Sequence, residues 1–89
     1  MKITRKSQAG TSQSSDLMVF VEPAAELRVE IESTVKRQFE YLIRAKVEET
    51  LAACGVTSGA IRIVDRGALD YAIQARVEAA LRRSDAGEK

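Results

Sequence analysis

The stretch Leu27-Arg28-Val29-Glu30-Ile31-Glu32 alternates apolar and charged residues, and directly after it the period changes. From Ser33 onward, Val35, Phe39, Leu42, Ile43, Val47, Leu51 and Cys54 recur at helical spacing. Period 2 sends successive side chains to opposite faces of a strand, whereas steps of three and four gather them on one helix face. A half-wet strand followed at once by an amphipathic helix is the building unit of a two-layer α+β domain. Ser33 can cap the helix through its side-chain oxygen, and Gly55 stands where a left-handed C-terminal residue is wanted. The pattern therefore predicts a helix from about Ser33 to Cys54.

Upstream, Leu17-Met18-Val19-Phe20-Val21 is a short apolar run stopped by Glu22-Pro23, which reads as a buried strand. It lies close enough to Leu27–Glu32 to pair with it as an antiparallel hairpin. Downstream, Ile61 and Ile63 mark a third strand, and Asp65-Arg66-Gly67 supplies turn chemistry. Leu69, Tyr71 and Ile73 then alternate, which favours a fourth strand to about Ile73 and a helix from about Gln74. Leu69, Ile73, Val77, Ala80 and Leu81 also lie near one helix face, so 68–73 admits both readings. The expected fold is α+β: a two-layer ββαββα sandwich with a four-stranded, mainly antiparallel sheet and two helices on one face. Residues 17–84 form this single domain. Residues 1–16 are expected to be a flexible N-terminal arm, because Lys6–Asp16 contains no large apolar side chain, and 85–89 a frayed tail.

Composition narrows the function. The 89 residues include no histidine and one cysteine. Histidine is the most frequent acid–base side chain near neutral pH, so its absence argues against a self-sufficient enzyme. One thiol cannot close an internal disulfide or build a thiolate-rich zinc site. Fourteen basic residues against 13 acidic ones give a net charge of +1, which speaks against a nucleic-acid binder and against the acidic surface of a four-helix acyl carrier. No run of 18 apolar residues exists and no signal peptide is recognisable, so no membrane partner is expected and the chain is read as cytoplasmic.

Few side chains could carry chemistry. The glycines form no phosphate-binding loop pattern, and Cys54 lies on the apolar stripe as a packing residue. Ser14 and Ser15 are hydroxyls without a base to activate them, so they suit a role as substrate for another enzyme better than one as nucleophile. Asp16 beside them could help such an enzyme recognise the site.

The segment Ala9-Gly10-Thr11-Ser12-Gln13-Ser14-Ser15-Asp16-Leu17-Met18-Val19 resembles the N-terminus of the citrate lyase acyl carrier protein family, the γ subunits of that complex. The resemblance continues through Val35–Phe39, Glu48–Leu51, Cys54–Val56, Asp65-Arg66-Gly67-Ala68-Leu69-Asp70 and Ile73–Arg76, covering about residues 9–82. It implies a non-catalytic carrier for the cleavage of citrate to acetate and oxaloacetate, as in citrate fermentation. It further implies that Ser14 is the cofactor-binding residue, holding 2′-(5″-phosphoribosyl)-3′-dephospho-coenzyme A (phosphoribosyl-dephospho-CoA) through a phosphodiester. The partners implied are the citrate lyase α and β subunits and a prosthetic-group transferase. The acyl carrier subunit of malonate decarboxylase is a related alternative, and a protein-interaction adaptor domain is one from a different class. A conventional phosphopantetheine carrier fits less well, since its Asp-Ser-Leu order is absent.

Overall fold

The computed structural model describes residues 1–34 and 37–85, with the backbone alone considered at 37 and 38. Its elements are β1 (Ser7–Gly10), β2 (Leu17–Glu22), β3 (Leu27–Ser33), α1 (Arg37–Ala53), β4 (Gly59–Asp65) and α2 (Asp70–Ser84). The sheet runs in the order β1-β2-β4-β3, with β1/β2 and β2/β4 antiparallel and β3/β4 parallel. The α+β class, the four strands and the two helices agree with the sequence reading. The order of elements is βββαβα rather than ββαββα.

Two corrections account for that difference. The expected β2–β3 hairpin does not form, because β4 is inserted between the two strands. β4 buries Gly59, Ile61, Ile63 and Asp65 on its inner side, and such a strand belongs at the sheet centre. The Pro23–Glu26 connection therefore spans two strand spacings, about 9.5 Å, instead of a tight turn. The segment from Leu69 to Ile73 is also not a strand. Ala72 N–H and Ile73 N–H both donate to the Leu69 carbonyl as α2 begins, and Leu69 and Tyr71 are exposed. Ile73, Val77, Ala80, Leu81 and Ser84 make the buried stripe of α2, so helical spacing outweighs three alternating positions.

The fourth strand comes instead from the expected arm. Within residues 1–16, Ser7–Gly10 pairs antiparallel with Met18–Val21, and Ala9 is buried against the core. Thr4 N–H donates to the Ser84 carbonyl, and Ser7 Oγ donates to the Ala80 carbonyl, strapping the segment to α2. Backbone pairing and short polar side chains hold this edge strand, which is why apolar content gave no sign of it. Of the tail expected at 85–89, Asp85 is described and accepts from Lys2 N–H, while 86–89 lie outside the described residues.

The core forms between the inner sheet face and both helices. Leu17, Val19 and Val21 of β2, Ile61 and Ile63 of β4, Ile43, Val47 and Leu51 of α1, and the α2 stripe make one cluster. Ser33 ends β3 and its hydroxyl donates to Asp65 Oδ2, while the cap expected of it at the start of α1 involves residues outside the described ones. Phe39 and Leu42 fall on the exposed flank of α1, Cys54 is half-buried, and Val35 lies outside the described residues. Gly55 ends α1 as expected, at φ +70°, with Val56 N–H returning to the Leu51 carbonyl. The other sheet face is open and carries Phe20 beneath Arg62, 5.8 Å from guanidinium carbon to ring centre. Among the described residues no helix is long and apolar enough to cross a membrane.

Gly10 decides how β1 leaves the sheet. It sits at φ +99°, and a Cβ there would lie 1.9 Å from the Leu17 carbonyl oxygen. We expect Gly10→Ala to destabilise the domain by about 2 kcal/mol or more in urea unfolding. An unchanged midpoint would show that β1 is not paired as described.

Candidate functional site

Sheet topology collects three connections at one end of the molecule. Leu17 of β2 and Ser33 of β3 both pair with Asp65 of β4. The β1–β2 connection (11–16), the entry to α1 and the entry to α2 therefore share that end. Helices following neighbouring parallel strands start at the same edge, so this arrangement follows from the β3/β4 pairing. Asp65, buried at 1% exposure, ties the end together. Its carboxylate accepts from Ser33 Oγ (2.9 Å), Gly67 N–H (3.1 Å) and Ala68 N–H (3.0 Å).

Ser14 occupies the corner of a tight turn in the first of these connections. Asp16 N–H donates to the Gln13 carbonyl (3.2 Å), placing Ser14 and Ser15 at the two central positions. Ser15 lies at φ +65°, the single non-glycine residue with positive φ among the described residues. Ser15 N–H donates to the Arg66 carbonyl (2.8 Å), and Arg66 N–H donates to the Asp16 carbonyl (2.8 Å). Ser15 and Asp16 thus face one residue, Arg66, which is the pattern of a bulge with its first residue left-handed. The bulge turns the chain so that Ser14 is exposed, and its hydroxyl makes no hydrogen bond to a described residue.

Asp16 holds the turn in place. Arg76 of α2 donates through Nε to Asp16 Oδ1 (3.1 Å) and through Nη2 to Oδ2 (2.8 Å). Thr11 Oγ1 donates to Oδ2 (2.5 Å), and Leu17 N–H donates to Oδ1 (2.7 Å). The Arg76 hydrogen bonds, followed by Thr11, lower the Asp16 carboxyl from 3.8 to about 2, against a smaller opposing effect of burial. The sequence allows Asp16 a part in recognition by a modifying enzyme. Its side chain is 16% exposed and turned toward α2. The Asp16 carboxylate is thus engaged by four donors, and the chain contains no histidine.

Sequence reading singled out Ser14 as a candidate and did not anticipate the contacts around it. Arg76 is separated from Asp16 by sixty positions, and nothing local in the chain links them. Ser15 carries no sign of a left-handed backbone, since glycine or asparagine is the usual signal. Asp65 and Arg66 stood in a recognised turn, but their bonds depend on which strands are neighbours. Five of the six exposed large hydrophobic residues described, Phe39, Tyr41, Leu42, Leu69 and Tyr71, lie in the early turns of α1 or at the start of α2. The end that bears Ser14 is therefore also the apolar end of the surface.

Comparison with known proteins follows the same lines. Residues 4–84 match the acyl carrier protein family model described as malonate decarboxylase delta subunit (MdcD). A citrate lyase acyl carrier protein of Pectobacterium carotovorum subsp. carotovorum is 50% identical over 90 residues, covering all of this chain and 94% of its own. One from Cronobacter sakazakii is 52% identical over 85 residues, covering 94% of this chain and 88% of its own. In fold, the chain is similar to one in the crystal structure of a Pseudomonas malonate decarboxylase hetero-tetramer in complex with malonate. The TM-score there is 0.79 at 18% identity, over 93% of this chain and 87% of that one.

Two expectations follow from the turn. Because the Asp16 carboxyl is lowered when folded, its contribution is complete above about pH 4 and is lost as pH falls toward 2. Asp16→Ala should remove about 1–2 kcal/mol of stability at pH 7, allowing for solvent around Arg76, and flatten the stability profile between pH 4 and 2. A variant with the wild-type acid profile would contradict this. Ser15→Gly should be neutral or slightly stabilising, whereas Ser15→Val should cost about 1–2 kcal/mol by urea unfolding. Equal effects of the two substitutions would count against the left-handed turn.

Proposed function

Since the chain belongs to the citrate lyase acyl carrier protein family, a family of carrier subunits rather than catalytic ones, we propose that Ser14 Oγ is the point to which its acyl-bearing group is joined. The observation that carries this reading is the exposed Ser14 hydroxyl, held at a turn corner by Asp16, Arg76 and Arg66 while making no bond of its own. A hydroxyl so placed can enter another protein's active site without unfolding anything. The group proposed is phosphoribosyl-dephospho-CoA, whose thiol, when attached, holds acetyl or citryl as a thioester for citrate cleavage.

The fit of these residues to such a group is good on three counts. Ser14 is unobstructed, its turn is braced on both sides, and the chain offers no competing thiol at this end, Cys54 being half-buried at the far end of α1. In attachment, Ser14 Oγ forms a bond to phosphorus of a triphosphate precursor as diphosphate leaves. The hydroxyl proton passes to a base of the transferase. Thereafter the turn fixes one end of the group while its reach allows visits to separate sites at high effective concentration. The partners proposed are the α and β subunits of citrate lyase, in the cytoplasm. The apolar residues around the Ser14 end give protein partners a surface suited to transient contact.

A second reading, the carrier of a malonate decarboxylase, draws on the description of the family model and on the likeness of fold. Identity of about half the residues to citrate lyase carriers over nearly the whole chain favours the first.

Intact-mass analysis of protein made together with its modifying enzymes tests the site. We expect the mass of the phosphoribosyl-dephospho-CoA adduct on the wild type and none on Ser14→Ala. An adduct that persists on the alanine variant, or an unmodified wild type, would overturn the assignment.

A further inference from the structure

The motif Asp65-Arg66-Gly67-Ala68-Leu69-Asp70 is only partly explained by the sheet and by α2. Asp65 binds inward, and Gly67 and Ala68 donate their N–H groups to it. Arg66 faces the other way. Its N–H and carbonyl are both bonded to the Ser14 turn, so its Cα is fixed directly across from Ser15 and Asp16. Residues exchanging such bonds across an antiparallel pair stand about 5.5 Å apart at Cα, well within reach of an arginine side chain. That side chain is exposed and takes part in no ion pair among the described residues.

Two arginines therefore adjoin the turn, Arg76 through its side chain and Arg66 through its backbone, and they differ in what is left to them. Arg76 is committed to Asp16 through two hydrogen bonds, which neutralises both charges. Arg66 retains an uncompensated positive charge beside the Ser14 corner. Asp65, the nearest acid in sequence, is turned into the core, and Asp70 stands at the positive end of α2. An arginine fork suits two oxygens of a phosphate, and a phosphodiester on Ser14 would bring one negative charge to this place.

We propose that Arg66 is a positioning residue for the phosphate joined to Ser14, its guanidinium pairing with the phosphodiester oxygens in the loaded carrier and with the same phosphate during attachment. This rests on the reading of Ser14 as the attachment point. Because the backbone of Arg66, not its side chain, braces the turn, substitution separates the two roles. Loss of the charge leaves the bulge intact and exposes the phosphate to water.

The test compares wild type, Arg66→Gln and Arg66→Lys, each incubated with the transferase and the triphosphate precursor. Loading is followed by intact mass, and the phosphorus NMR resonance of the phosphodiester is read in the loaded proteins. At limiting precursor, Arg66→Gln is expected to load about five- to tenfold more slowly and Arg66→Lys to recover only part of the rate, keeping the charge without the fork. The resonance of Arg66→Gln should differ from that of the wild type, and high salt should move the wild-type resonance toward it. Urea midpoints of the three unloaded proteins should agree. The phosphorus resonance decides the matter. If wild type loads on Ser14 and the Gln variant gives the same resonance, the inference fails and the attachment reading stands, even where loading is slowed by a contact with the transferase. If wild type acquires no adduct at Ser14, the attachment reading fails and takes this inference with it.

Discussion

The Asp16 carboxylate is the constraint on which the Ser14 end of the molecule depends. It receives two donors from Arg76, one from Thr11 and one from the Leu17 backbone, and so joins the start of the turn, its end and the face of α2. A six-residue connection without a large apolar side chain has no core of its own to hold it. Charge-assisted bonds do that work here, and they are effective because Asp16 is largely shielded while one partner comes from a packed helix. The tension at Ser15, a left-handed residue without glycine's freedom, persists because bonds on either side of it fix the backbone.

That local device works only because of the sheet order. Placing β4 between β2 and β3 brings Asp65 and Arg66 beside the turn, and the parallel β3/β4 pair brings both helix starts to the same end. Asp65 then secures the ends of β3 and β4 and the bend into α2. The chain has no histidine, a net charge of +1 and one half-buried thiol, and these placements surround an exposed serine hydroxyl at its turn corner.

Much of this was legible in the sequence, and the reasons for the rest are physical. The period change at Ser33 gave α1, the alternation at Leu27–Glu32 gave β3, and Gly55 gave the helix end. Ser14 was singled out through the resemblance of its surroundings, since nothing in the spacing separates it from Ser15. Strand β1 escaped notice because backbone bonds and one buried alanine hold it, and neither leaves an apolar pattern. Leu69, Tyr71 and Ile73 misled because three alternating positions also fit the first turn of a helix with exposed residues. The β2–β3 pairing failed because adjacency in sequence cannot reveal that a later strand will be inserted between. Arg76 and Arg66 gained their meaning only from these long-range placements.

The claim at the centre is that the Asp16–Arg76 pair presents Ser14 for attachment. A double-mutant cycle with Asp16→Ala, Arg76→Ala and the double variant tests it most directly, with the rate of adduct formation on Ser14 as the readout. Each single variant should load more slowly, and the double variant should be no slower than either, giving a coupling of about 1 kcal/mol or more. Additive losses, or single variants that load at the wild-type rate, would contradict the account.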